Sequence, residues 1–146
     1  MYVRRAREAE TDMLSKQAED IFAIEQKIPR EYCPIPAQKR PMWWCAEQAG
    51  DIVGTVAAYW EGEVCHMGRM TVSRELRRQH IATELLTFSV EDLFDQGIDE
   101  LFMEAREITV HILLKMGAEV VGETVPFYEG TVTPLILKKE NYKSRA

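Results

Sequence analysis

Residues 64–86 read Val64-Cys-His-Met-Gly-Arg-Met-Thr-Val72-Ser-Arg-Glu-Leu-Arg-Arg-Gln-His80-Ile-Ala-Thr-Glu-Leu-Leu86. The run from Val64 to Val72 has strand composition. Beyond it, apolar residues fall at Ile81, Leu85, Leu86, Val90, Leu93 and Phe94, which is helical spacing. The stretch therefore predicts strand, basic turn, helix, with Arg77 and Arg78 just ahead of the helix start. A helix N-terminus exposes unpaired N–H groups and carries partial positive charge. Placed behind two arginines, such an end suits a phosphate or pyrophosphate.

Upstream, Met1 to Arg5 predicts a short strand, and Thr11 or Asp12 can cap a helix over about residues 12–27. Residues 28–41 hold four prolines, which rules out a helix interior or a central strand. That segment reads as a loop over the core, with room for one helical turn. Residues 42–48, 52–60 and 64–72 form three strand-like runs joined by tight Gly-containing turns, an antiparallel meander. Downstream, the helix closes at Gly97, a good residue just past a helix end. A buried strand over 101–105, a short helix over 107–116 stopped by Gly117, and strands over 119–125 and 132–138 complete the chain. The predicted order is β-α-β-β-β-α-β-α-β-β.

A chain of 146 residues is the size of one domain and can bury a real core. With 46% hydrophobic and 29% charged residues it has the composition of a globular protein. A net charge of −6 argues against a nucleic-acid binder and suits a cationic acceptor such as an amine. The three cysteines, Cys33, Cys45 and Cys65, form no Cys-x-x-Cys pair, so neither a disulfide framework nor a metal site is expected. The N-terminus has no signal-peptide pattern and no run is long enough to span a membrane, so a cytoplasmic protein with no membrane partner is expected.

The residues Arg77-Arg78-Gln79-His80-Ile81-Ala82 resemble the acetyl-CoA signature Gln/Arg-x-x-Gly-x-Gly/Ala of the GNAT superfamily of N-acetyltransferases. The five-residue step from Val72 to Arg77 and the leucine pair Leu85–Leu86 are similar as well. His80 departs, standing where the family has its first glycine. The resemblance implies an α/β acyl-CoA N-acyltransferase fold, with a mixed, mostly antiparallel central sheet and helices on both faces. The segment from Gly117 to Leu135 is similar to the C-terminal part of ElaA-like and N-acylamino-acid-synthase-like members.

That likeness also implies site residues. The turn amides of Arg77, Arg78, Gln79, His80, Ile81, Ala82 and Thr83 would hold the CoA pyrophosphate. A β-bulge would part the fourth strand from the fifth, and the main chain of Met70 and Val72 would receive the acyl-pantetheine arm. One of those amides would face the thioester oxygen. His66 lies eleven residues before Arg77, where several relatives place a general base. Its imidazole titrates near neutral pH, which suits deprotonating an amine. Glu104, a carboxylate in an apolar run, is the second acid–base candidate, with Arg69 as its expected structural partner. Cys65 should face away from His66 by strand alternation. Many relatives carry a Tyr general acid where this chain has Leu113; Tyr128 is the candidate substitute.

The expected activity is transfer of an acetyl group from acetyl-CoA to a primary amine, on a small molecule or a peptide, by direct attack in a ternary complex. No metal is expected, and dimers are common among relatives. Two alternatives stay open: a longer acyl donor on CoA or acyl carrier protein, and a non-catalytic acyl-CoA-binding domain.

Overall fold

The computed structural model describes residues 1–77 and 80–144. Arg78 and Gln79, both expected at the phosphate turn, lie outside the described residues. The chain runs β1 (Tyr2–Arg5), α1 (Thr11–Gln26), β2 (Met42–Gln48), β3 (Asp51–Glu61), β4 (Val64–Val72), α2 (Ile81–Asp95), β5 (Glu100–Ala105), α3 (Glu107–Lys115), β6 (Glu119–Val120), β7 (Val125–Phe127) and β8 (Gly130–Lys138). The proline-rich segment is a loop carrying two single 3-10 turns, Arg30–Tyr32 and Ala37–Lys39.

The sheet has the order β1-β2-β3-β4-β5-β8-β6, with β7 hairpinned onto β8. Every pairing is antiparallel except β4 with β5. Parallel neighbours need a crossover, and α2 supplies it. Side chains alternate across the strands and so feed two cores. Leu14 and Ala18 of α1 pack with Trp43, Cys45 and Ala57 on one face. On the other, Leu85, Val90 and Leu93 of α2 pack with Trp44, Val56, Ala58 and Met67, and Leu113 of α3 joins them. Gly54 lets α2 close on the sheet: a Cβ there would stand 2.8 Å from Leu85 Cδ1 and 3.0 Å from the Thr71 carbonyl oxygen.

One expected element is corrected. The strand predicted over 119–125 is two short pieces, β6 and β7, with residues 121–124 outside the ladder. The cause is Pro134 of β8. Its carbonyl accepts from Val121 N at 2.9 Å, so its ring nitrogen, which has no hydrogen to give, faces the same side. The β8 ladder toward β6 and β7 is interrupted there, whereas the ladder toward β5 runs unbroken from Glu100↔Lys138 to Ala105↔Thr133.

Candidate active site

The site begins with one extra residue in β4. Across β3 and β4, Thr55 faces Thr71 but Ala57 faces Gly68, so two steps on β3 match three on β4. That is a β-bulge, which bends the strand that carries it. Arg69 holds the bulge in the left-handed region, at φ 57°. Such a conformation costs a non-glycine residue roughly 1–2 kcal/mol. Three hydrogen bonds offset it: Thr55 Oγ1 to the Arg69 carbonyl, Arg69 Nε to the Cys33 carbonyl, and Arg69 Nη2 to the Tyr32 carbonyl.

As a result β4 and β5 pair only through Cys65↔Leu101, His66↔Phe102 and Met67↔Met103. Past that point the two parallel strands fork. The β5-facing main chain around Met70 and Val72 has no strand partner among the described residues, although the Val72 carbonyl accepts from the Arg77 side chain, and this leaves an open strand edge inside the sheet. The fork opens into a cavity of about 250 Å³. His66, Met70 and Glu104 line it, as do Tyr59, Arg69 and Arg106. The C-terminal end of α1 and Phe127 of β7 close its far side.

His66 and Glu104, two separate candidates from the sequence, both line this one cavity. The imidazole is half-buried, with ring centroids 4.7 Å from Phe102 and 5.6 Å from Tyr59. Burial holds His66 below its usual pKa of 6.5; Glu61 and Glu104 pull it up, and Lys39 pushes it down. The neutral, proton-accepting form therefore prevails at pH 7. Cys65 points into the opposite core, where burial raises its thiol to about 11, so it is neither reachable nor nucleophilic. All three cysteines are free and buried.

The expected Arg69–Glu104 ion pair is corrected. Arg69 gives its donors to the carbonyls of Tyr32 and Cys33, and its guanidinium lies 5.5 Å from the centroid of the Tyr59 ring. No salt bridge holds Glu104 among the described residues. Its carboxylate is exposed at the cavity wall and open to a ligand.

At the turn before α2, His80 takes the left-handed conformation that the family's glycine would supply, φ 62°. Histidine is among the side chains that tolerate this region. The residue is exposed. The first intrahelical bond at this end is Glu84 N to the His80 carbonyl at 3.0 Å, which leaves the N–H groups of Ile81, Ala82 and Thr83 without a helical acceptor. Ile81 itself is anchored in the core. The Arg77 side chain is engaged by protein: Nε donates to the Val72 carbonyl at 3.0 Å and Nη2 to Glu25 Oε1 at 2.6 Å.

Tyr128 sits at the β7–β8 turn, exposed, at φ 52°, packed edge-on against Phe127. It is not among the residues lining the cavity, and Leu113 is fully buried in the core. The hydroxyl-bearing residues that line it are Tyr32, Tyr59 and Thr109. Sequence reading also passed over Gln26 and Arg106. Neither sits in a motif, and only the approach of α1, β5 and β7 brings them to one place.

Residues 7–118 match the model of the acetyltransferase (GNAT) family. No curated protein sequence counts as a match. Among solved structures, Escherichia coli ElaA superposes with a TM-score of 0.77 at 15% identity, over 92% of this chain and 97% of that one. An aminoglycoside 6'-N-acetyltransferase complexed with coenzyme A gives 0.73 at 11% identity, over 95% and 97%. FeeM, an N-acyl amino acid synthase from uncultured soil microbes, gives 0.73 at 10% identity, over 95% and 91%. At these identities the likeness is one of fold.

Proposed function

The chain belongs to the acetyltransferase (GNAT) family, and from that premise we propose that it transfers an acetyl group from acetyl-CoA to a primary amine by direct attack. The carrying observation is the fork between β4 and β5, which places an unpaired strand edge beside His66 and Glu104 in one cavity.

In this reading the pantetheine arm lies along the free edge of β4 at Met70 and Val72. The pyrophosphate rests on the amides of Ile81, Ala82 and Thr83 and the turn before them, where the helix end supplies donors and positive potential. The Arg77 guanidinium shapes that turn from behind. His66, neutral at pH 7, takes a proton from the ammonium, directly or through a water, and Glu104 draws the cationic acceptor in. The amine nitrogen then attacks the thioester carbon. A main-chain N–H of the β4 edge faces the developing oxyanion, the C–S bond breaks, and the thiolate takes up a proton. Tyr59 and Tyr32, which are among the cavity-lining residues where Tyr128 is not, are the candidates to supply it. A cavity of about 250 Å³ suits a short acyl group beside a small amine, which favours acetyl over a long chain.

Calorimetry with acetyl-CoA, free CoA and longer acyl-CoAs tests the donor, and thiol release over a panel of amines tests turnover. Micromolar binding of acetyl-CoA with amine-dependent thiol release is expected. Absence of CoA binding overturns the reading. Binding without turnover on any amine would favour a non-catalytic domain.

A further inference from the structure

Two residues of the cavity wall each hold a buried polar atom that nothing in the protein satisfies. Arg106 Nη2 and Gln26 Oε1 are both shielded from solvent and lack a hydrogen-bond partner, and both residues line the cavity. Most buried polar groups in native proteins are paired, so each orphan needs an explanation. Leaving a buried donor unmade costs about 1–3 kcal/mol, more for a charged group.

Arg106 is held rather than loose. Nη1 donates to the Phe127 carbonyl at 2.9 Å, the guanidinium lies 5.2 Å from the centroid of the Phe127 ring, and a Cβ on Gly130 would stand 2.6 Å from Nη1. One edge of the fork is thus fixed to the β7–β8 hairpin while Nη2 stays unfilled. No salt bridge compensates Arg106 among the described residues, and burial works against its charge. The charge pattern agrees. The chain carries −6 overall, yet the ionised groups lining the cavity are Arg69, Arg106 and Glu104, a local excess of one positive charge with His66 neutral. Arg69 has already given Nε and Nη2 to main-chain carbonyls. A bare alkylammonium would meet that excess unfavourably. A molecule bearing both charges would not: its ammonium has Glu104 and the Gln26 carbonyl to meet, and its carboxylate has Arg106.

We propose that the acceptor is a zwitterionic amino-carboxylate, amino-acid-like in its charges, whose carboxylate docks on Arg106. This rests on the acyl-transfer reading for the fate of the amine, but the anion subsite stands on Arg106 itself, a cavity-lining guanidinium with one nitrogen unpartnered and no ion pair among the described residues. Charge-assisted bonds from Arg to carboxylate are short and strong, and their loss is readily measured.

Two readouts separate the claims. The first is thiol release from acetyl-CoA with matched pairs, each L-amino acid against its decarboxylated amine. The carboxylate-bearing member of the preferred pair should lead by at least about tenfold in kcat/KM, the equivalent of one buried charge-assisted bond. Arg106→Gln should erase that preference and Arg106→Lys should keep part of it, with thermal melting confirming that both variants fold. The second is calorimetric binding of N-acetyl-amino acids against their carboxamides, which needs no turnover. Saturable binding of the acid that Arg106→Gln abolishes supports the subsite even if no amine is acetylated, in which case the catalytic reading alone falls. Equal use of both members of every pair, or equal binding of acid and amide, overturns the proposal.

Discussion

Thr55 Oγ1 donates to the carbonyl oxygen of Arg69 across 2.9 Å, at the point where β4 carries its extra residue. Thr55 is fully buried, and its hydroxyl also meets Thr71 Oγ1 at 2.7 Å. A hydroxyl has one proton; since Thr55 gives its own to Arg69, Thr71 is the donor between the two threonines. This pair fixes the bulge, and the bulge opens the fork. Thr55→Val keeps the shape and removes the donor, leaving the Arg69 carbonyl and the Thr71 hydroxyl short of a partner. The expected loss is about 1–3 kcal/mol of stability. Affinity for acetyl-CoA should weaken as well, because β4 is then free to straighten toward β5. Urea unfolding read beside calorimetry checks both; lost stability with unchanged CoA affinity would show that the bulge survives without its clamp.

Replacing His66 by Gln should slow transfer by about a hundredfold or more, the usual scale for a positioned base, with little change in CoA affinity. Stopped-flow thiol release and calorimetry separate the two effects. A variant that transfers at the wild-type rate would move the base elsewhere in the cavity.

The pH dependence has a definite sign. His66 is held below 6.5 chiefly by burial, so the unfolded chain binds its proton more readily than the folded one. Its contribution to stability is whole above the unfolded value near 6.5 and is lost as pH falls below it. Because Glu104 raises the His66 value, Glu104→Gln should lower it further. Titration of the three histidines by NMR checks this. One resonance should have a midpoint below 6.5, vanish in His66→Gln, and move down in Glu104→Gln; a midpoint above 6.5 would contradict the buried, neutral imidazole.

His80→Gly addresses the departure from the family signature. A left-handed non-glycine residue costs roughly 1–2 kcal/mol, and glycine gives back about half of that through the freer unfolded chain. A net gain of about 0.5–1 kcal/mol follows, a few degrees in melting temperature. CoA affinity should stay the same, because the imidazole is exposed. A several-fold tightening would show instead that the side chain crowds the phosphate.

Much of the fold was legible because its signals were local. Helical spacing gave α2, Gly97 and Gly117 marked helix ends, and three alternating runs gave the meander. Pro134 was visible too, but its effect depends on which side of β8 its nitrogen faces, and only the sheet order decides that. The bulge carries no glycine at Arg69 to announce it. His66 and Glu104 could each be named from the sequence, one by its spacing from Arg77 and the other as a carboxylate in an apolar run; that they share a cavity comes from the fold. Gln26 and Arg106 could not: one ends α1, the other follows β5, and their common feature, a buried polar atom without a partner on a residue of one cavity wall, exists only after folding. The Arg69–Glu104 expectation failed for a related reason. Charge complementarity in a sequence says nothing of the carbonyls of Tyr32 and Cys33, which the proline-rich loop delivers to Arg69 instead.

The ion pair between Glu25 of α1 and Arg77 at the turn before α2 gives the last prediction. Its 2.6 Å contact turns the guanidinium toward α1, and both side chains are partly exposed, 23% and 40%. Exposed pairs contribute about 0–1 kcal/mol, so Glu25→Gln should change stability by no more than that. Its effect on the donor should be larger. The substitution removes a negative charge near the expected pyrophosphate and releases an arginine that can then turn toward it. CoA affinity should tighten by about two- to fivefold at low salt, and the gain should shrink as ionic strength rises and screens exposed charges. Arg77→Gln should weaken CoA binding only modestly, since in the native arrangement its side chain serves the protein rather than the ligand. Calorimetry at two salt concentrations decides the matter: weaker CoA binding in Glu25→Gln would mean that the pair shapes the phosphate turn, and that freeing Arg77 does less than losing that shape.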